Sequence, residues 1–383
     1  LTVKTKVAPR SKARASTLKK VGKKLSTSTR RPAAKPTARK ASPALAAPKT
    51  ALKTTLKSAT KAPVKSKAPA HLNGTAGNAK PTDLPIIYVN GRMVPKSQAT
   101  VSVYDHGLLY GDGIFEGIRI YKGKIFKCKQ HMERLYHCAE QIRLTIPVPM
   151  EEMVRIQRRC IEVNKIDEGY IRLVVTRGFG TLGLDPRRCP TAGVICIADQ
   201  IRLFPVEQYE TGMRVVVANR PKTPIACLDP RVKSLNYLNN ILAKVEAIDF
   251  GCDECIMLNL DGFVTEGSGD NIFAVKDGTL YTPPSDAGIL EGVTRGFVAR
   301  ELAPALGLKC VEKNLRLDEV LAADEVFLTG TAAEIIGVSQ IDQHDGKGNI
   351  TQATHVSSGE GPITKKLRLK FREIVTGPRV PED

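Results

Sequence analysis

The chain has 383 residues and a formal net charge of +19, from 58 Lys and Arg against 39 Asp and Glu. Residues 1–83 hold 21 of the basic residues and a single acid, Asp83, so the rest of the chain, with 37 basic and 38 acidic groups, is close to neutral. This split excludes a uniformly basic body, the lack of any run of about eighteen apolar residues excludes a spanning helix, and nine scattered cysteines argue against a disulfide framework.

Residues 1–83 contain no Phe, Tyr, Trp or Ile. Their Lys, Ala, Pro, Ser and Thr cannot bury enough apolar surface to offset chain entropy, so a disordered basic tail is expected. Three readings of it stay open: a solvated extension, an arm making non-specific nucleic-acid backbone contacts, or a cleaved organelle transit peptide. The cytoplasm is the expected compartment, with an organelle as the alternative on the third reading.

Order is expected from Leu84. Ile86–Val89 and Arg92–Val94 flank Asn90-Gly91, a strong hairpin signal. A second hairpin follows, 114–121 and 124–128 around Lys122-Gly123. Helical periodicity begins at Gln130, with Met132, Leu135, Tyr136, Ala139 and Ile142 on one side. A helix over 151–164 and strands over 170–176 and 193–198 complete a small α+β domain, residues 84–205. Residues 206–212 read as a connector, and 213–378 as a larger domain. That domain opens with a strand at 213–218 and a helix at 235–250, with Lys233 at the helix start. Short strands at 255–260, 263–265, 271–275 and 279–282 follow, then helices at 294–306 and 317–322, a strand at 325–328 and a last helix at 362–375. No GxGxxG precedes a helix, so a parallel dinucleotide-binding sheet is not expected. Cys252-Asp253-Glu254-Cys255 has metal-like spacing, but four ligands do not assemble around it, and no metal is expected.

Two stretches carry chemistry when read together. Lys233 lies in Val232-Lys233-Ser234-Leu235-Asn236-Tyr237, and Glu266 in the glycine-rich Thr265-Glu266-Gly267-Ser268-Gly269-Asp270-Asn271. A lysine able to act as a nucleophile and a carboxylate able to hold a positive ring nitrogen are what a pyridoxal phosphate enzyme requires. A dianionic phosphate needs a third element. Gly292-Val293-Thr294 at a helix start and Gly330-Thr331-Ala332-Ala333 after a strand both offer backbone N–H groups, and Arg134 offers a permanently charged fork. Taken singly, each of these is also an ordinary surface lysine, turn carboxylate, helix cap or solvated arginine.

The order of motifs along the chain adds to that reading. Tyr104–Arg119, His131–Leu135, Lys233–Tyr237, Glu266–Asn271, Gly292–Arg295 and Thr329–Glu334 together resemble the fold-type IV pyridoxal phosphate enzymes, and among them the branched-chain amino acid aminotransferases. The likeness spans residues 85–375. It implies a small α+β domain and a larger pseudo-barrel domain with the cofactor between them, in a homodimer or higher homo-oligomer whose partner chain helps line the pocket. By motif match, Lys233 would be the Schiff-base lysine, Glu266 the partner of the pyridine nitrogen and Tyr237 that of the phenolate oxygen. Arg134, Val293, Thr294 and Thr331 would hold phosphate. The amides of Thr331 and Ala332, with Tyr170, would receive the substrate carboxylate, and Phe115, Tyr110, Arg119 and Arg172 would shape the side-chain pocket.

The implied activity is ping-pong transamination between L-branched-chain amino acids and 2-oxoglutarate. Tyr170-Ile171-Arg172 is similar to the Tyr-x-Arg pattern of L-specific enzymes, whereas D-amino acid transaminases carry Arg-x-His there. D-amino acid transaminase and aminodeoxychorismate lyase remain the alternatives within the fold. A nucleic-acid-associated protein acting through the basic tail is the alternative from another class.

Overall fold

The computed structural model describes residues 84–201 and 204–382. The tail expected over 1–83, with its disorder and nucleic-acid contact, lies outside the described residues.

Six strands, β1 (Ile86–Val89), β2 (Arg92–Pro95), β3 (Gly113–Tyr121), β4 (Lys124–Ile125), β5 (Gly169–Thr176) and β6 (Gly193–Asp199), form one antiparallel sheet in the order β2-β1-β6-β5-β3-β4. The Asn90-Gly91 hairpin is present, with both residues at positive φ, the conformation in which such a turn matches strand twist. Between β2 and β3 lies a short helix, α1 (His106–Tyr110); α2 (Cys128–Gln141) and α3 (Met150–Asn164) cover one sheet face. Ile114, Ile118 and Ile120 of β3 pack there against Met132 and Leu135 of α2 and Met153 and Ile156 of α3. Each such side chain, fully buried, contributes about 1.5–3 kcal/mol.

Beyond helix α4 (Val206–Thr211), which occupies the expected connector, a second sheet begins with β7 (Met213–Val217) and β8 (Glu254–Ile256) on either side of helix α5 (Leu238–Asp249). Next come β9 (Phe263–Val264), β10 (Asn271–Lys276), β11 (Thr279–Thr282), β12 (Cys310–Glu312), β13 (Leu315–Arg316), β14 (Glu325–Gly330), β15 (Glu334–His344) and β16 (Ile350–His355). The large sheet runs β12-β11-β10-β14-β15-β7-β8, with β16 beside β15 and β9 paired separately with β13. It is mixed: β15 is antiparallel to β14 and parallel to β7. The remaining helices are α6 (Val293–Phe297), α7 (Ala303–Ala305), α8 (Leu317–Leu321) and α9 (Pro362–Val375).

Three local outcomes differ from the sequence reading. Lys233 does not open a helix, since α5 starts at Leu238. The Phe115 amide donates to the Lys233 carbonyl (3.0 Å) and the Leu235 amide to the Gly113 carbonyl (2.9 Å), so residues 233–235 pair with β3 beyond the end of the two-residue β4. The helix expected over 294–306 is interrupted by a π-turn at Val298–Leu302, just before Pro304, which has no N–H to donate. Finally, β15 and β16 have no counterpart in the sequence reading. Glu334–Val338 of β15 is buried throughout, so it lacks the alternation that marks a half-exposed strand. Among the described residues, no helix is long and apolar enough to cross a membrane.

Candidate active site

Lys233 reaches the inside of the molecule because its backbone is stitched to β3 and its own amide donates to the Cys138 thiol of α2 (3.4 Å). Its ammonium donates to the Tyr237 hydroxyl (3.1 Å) and lies 4.6 Å from the centre of the Phe115 ring. Burial, then the Arg134 guanidinium, lowers its pKa to about 8, against the opposing pull of Glu116 and Glu266. An amine in that range is substantially unprotonated near neutral pH and therefore nucleophilic. Tyr237, one turn further on, is pushed up to about 12 by burial and by the Glu266 carboxylate, so its phenol keeps its proton.

Glu266 is buried, and each of its oxygens is held. Oε2 accepts from Asn271 Nδ2 (2.9 Å) and from the Leu290 amide (3.0 Å), while Oε1 lies 2.5 Å from the ammonium of Lys222. Lys222, Tyr237 and Glu266 line one cleft, and the Glu266 charge is felt at Lys233. The amine and carboxylate that are 33 residues apart in sequence thus share one electrostatic environment.

The candidate phosphate groups gather beside them. Gly292 caps α6, so the Val293 and Thr294 amides fall at a helix start where the backbone has no internal partners to offer them. A Cβ on Gly292 would come 2.0 Å from Asn271 Oδ1, which ties this turn to the one carrying Glu266. Arg134 donates through Nε and Nη2 to both oxygens of Glu116 (2.7 Å each) and through Nη1 to the Glu291 carbonyl (2.8 Å). Its five N–H groups leave two for an anion. Glu116 is fully buried; despite that burial, Arg134 and His131 (2.8 Å) hold its carboxyl far below the usual range. Burial in turn lowers His131.

The candidate substrate residues divide. Phe115 meets Tyr237 edge to face (5.0 Å), and the Arg172 guanidinium sits 4.7 Å from the Phe115 ring and 5.3 Å from that of Tyr170. Burial raises the Tyr170 phenol, whose hydroxyl lies so close to Gly117 that a Cβ there would stand 1.9 Å away. Thr331 and Ala332 form the turn joining β14 to β15, and Asp270 Oδ1 lies against Gly330 at its entrance. Burial and the Glu254 carboxylate push Asp270 up to about 7. Two residues go elsewhere. Tyr110 accepts from the Gly183 amide (3.0 Å) and packs on His106. Arg119, 2% exposed, lies 3.8 Å from Glu168 and from Glu334 and stacks over Tyr121, with Nε and Nη1 lacking a hydrogen-bond partner among the described residues.

The family model described as "Amino-transferase class IV" matches residues 113–341 of this chain. The chain belongs to the class IV aminotransferases. A Methanocaldococcus jannaschii protein bearing the provisional name branched-chain-amino-acid aminotransferase is 48% identical over 290 residues, covering 76% of this chain and 96% of its own length. The solved structure of the Escherichia coli branched-chain amino acid aminotransferase superimposes at a TM-score of 0.71 and 33% identity, over 76% of this chain and 95% of that one. A thermophile branched-chain amino acid aminotransferase complexed with N-(5'-phosphopyridoxyl)-L-glutamate gives 0.70 and 35%, over 77% of this chain and 95% of its own. The expected fold, the α+β fold-type IV aminotransferase architecture, is therefore the one this aminotransferase adopts.

Three residues of the aminotransferase site were given no role from sequence. Glu116 and His131 stood inside quoted motifs, but a buried acid between an arginine and a histidine is visible only once β3 lies against α2. Lys222 belongs to no motif; it precedes Lys233 by eleven residues in a proline-rich loop, and only the folded loop brings it to Glu266.

Proposed function

We propose that this chain transfers the amino group between L-branched-chain amino acids and 2-oxoglutarate by a ping-pong route, with pyridoxal 5'-phosphate held at Lys233. The observation that carries this reading is the depressed lysine amine, hydrogen-bonded to a protonated tyrosine and electrostatically coupled to a fully held carboxylate in the same cleft. The donor set fits that cofactor: an amine for its aldehyde, a carboxylate for its ring nitrogen, a phenol for its ring oxygen, and helix-start amides with an arginine for its phosphate. When bound, the cofactor supplies the electron sink that stabilises negative charge at the substrate α-carbon.

The protein's own groups then have distinct tasks. Lys233 holds the cofactor, is displaced by the incoming amine, and as a free base takes the α-proton and returns it. Glu266 balances the positive ring nitrogen. Tyr237 donates to the ring oxygen. Val293, Thr294, Thr331 and the two spare N–H groups of Arg134 hold phosphate. The Thr331 and Ala332 amides, with Tyr170, hold the substrate carboxylate. The ring of Phe115 suits an aliphatic side chain, and Arg172 stacked on it suits the side-chain carboxylate of glutamate. The phosphopyridoxyl-glutamate in the solved relative supports that second substrate.

The active form on this reading is a homodimer. Leu238, Ile241, Leu242, Val245 and Ile248 make an i, i+3, i+4, i+7 apolar stripe on α5 that faces solvent in the single chain, and Tyr110 is 37% exposed and available to a second copy. Steady-state assays of the full chain with a panel of L- and D-amino acids against 2-oxoglutarate test the function. Leucine, isoleucine and valine should be the preferred L-substrates. Turnover confined to D-amino acids, or release of pyruvate from aminodeoxychorismate without transamination, would replace this reading with one of its relatives.

A further inference from the structure

We propose that Lys222 is a positioning residue that keeps Glu266 ionised and oriented; the proposal rests on the reading that Glu266 faces the ring nitrogen of pyridoxal phosphate. Lys222 is 4% exposed, and its ammonium stands 2.5 Å from Glu266 Oε1. Its backbone amide donates to the Leu258 carbonyl (2.8 Å), which anchors this stretch of loop to the segment leading from β8 toward the Glu266 turn. The other carboxylate oxygen is held by neutral donors, Asn271 Nδ2 and the Leu290 amide. Lys222 is therefore the one ammonium in contact with the Glu266 carboxylate among the described residues; Lys233 acts on it only through space.

A carboxylate that must balance a positive ring nitrogen has to remain charged whether or not the ring is present. Three fixed contacts hold its plane, but only the ammonium offsets its charge in a buried setting. Remove that ammonium, and the buried carboxylate regains its balance most easily by taking up a proton. A protonated Glu266 has no negative charge left for the ring. The expected signature is a cofactor affinity that falls as pH falls, because proton uptake by Glu266 in the variant then competes with cofactor binding. A lysine that merely braced the loop would weaken the protein equally at every pH.

The test is equilibrium titration of cofactor-depleted full-length protein with pyridoxal phosphate between pH 6.5 and 8.5, alongside thermal melts. The parent should develop an absorbance band near about 400 nm that Lys233→Ala abolishes. If it does not, the functional reading falls and takes this inference with it. With the band in place, Lys222→Met should weaken binding by about tenfold at pH 6.5 and by markedly less at pH 8.5. Lys222→Arg, which keeps the charge, should restore the parent profile. The Lys222→Met/Glu266→Gln pair should bind no worse than Glu266→Gln alone, since both act through one carboxylate. Should Lys222→Met fail to fold, Lys222→Gln carries the same expectation. A parent-like affinity in the Lys222 variant, a loss that does not vary with pH, or additive losses in the double variant would overturn the proposal while leaving the function standing.

Discussion

The lowered pKa of Lys233 makes a measurable claim that needs no cofactor. Between the ordinary 10.5 and about 8, the unprotonated fraction at pH 7.5 rises from about 0.1% to roughly a quarter, a gain on the order of two hundredfold. Burial is the largest cause and the Arg134 guanidinium the next. Because Arg134 also offsets the Glu116 carboxylate, Arg134→Gln both removes a positive neighbour and leaves Glu116 less opposed, and each change moves the amine back up. The assay is trinitrobenzenesulfonate labelling of cofactor-free full-length protein from pH 6.5 to 10.5. Modification of the Lys233 peptide is followed by mass spectrometry, with a lysine model peptide as reference. Labelling of Lys233 should be half-maximal near pH 8 in the parent and at higher pH in Arg134→Gln. The linkage sign is fixed as well: the unfolded chain holds this proton up to 10.5 and the folded chain only to about 8, so this group's contribution to stability improves as pH rises through that interval. Half-maximal labelling above pH 9.5 in the parent, or an unmoved midpoint in the arginine variant, would refute the reasoning.

Glu116→Gln removes the charge that Arg134 and His131 share, and a broken buried ion pair costs about 3–5 kcal/mol, so melting should fall by roughly 10 °C. Because the folded Glu116 carboxyl is far below its unfolded value, its contribution is in force above about pH 4.5 and fades only in stronger acid; the deficit of the variant should therefore be constant from pH 5 to 8. Asp270 has the opposite sign. Its folded carboxyl titrates at about 7 and its unfolded one at 3.8, so its contribution is lost as pH rises through that window, and Asp270→Asn should raise the melting temperature of cofactor-free protein at pH 8 more than at pH 5. Calorimetric scans at the two pH values decide both. Ile241→Glu places a charge in the middle of the α5 stripe and should shift sedimentation from dimer toward monomer, with loss of transaminase activity. A monomeric parent would remove the stripe from the argument.

Much of the site was legible in the chain because the family's chemistry is carried by short local signals. Lys233 with Tyr237 spans one turn of chain, Glu266 lies in a glycine-rich loop, and Gly292-Val293-Thr294 marks a helix start whatever surrounds it. The hairpin at Asn90-Gly91 was equally local, since two positive-φ residues and flanking apolar strands are enough to specify it. Arg119 shows the limit: its place on the same face of β3 as Phe115 suggested a pocket role, yet Glu334 and Tyr121, each distant in sequence or on the far end of the strand, draw it aside.

What the chain determined alone was therefore which groups are present and which short turns present them. Tertiary structure decided their ionisation and their company. The amine at 233 is lowered because β3 captures its backbone and brings it under cover beside Arg134. Glu266 is held because Lys222, Asn271 and Leu290 converge on it from three separate segments. Such convergence depends on long-range packing and the exclusion of water, and neither leaves a periodic or short-range trace in the order of residues.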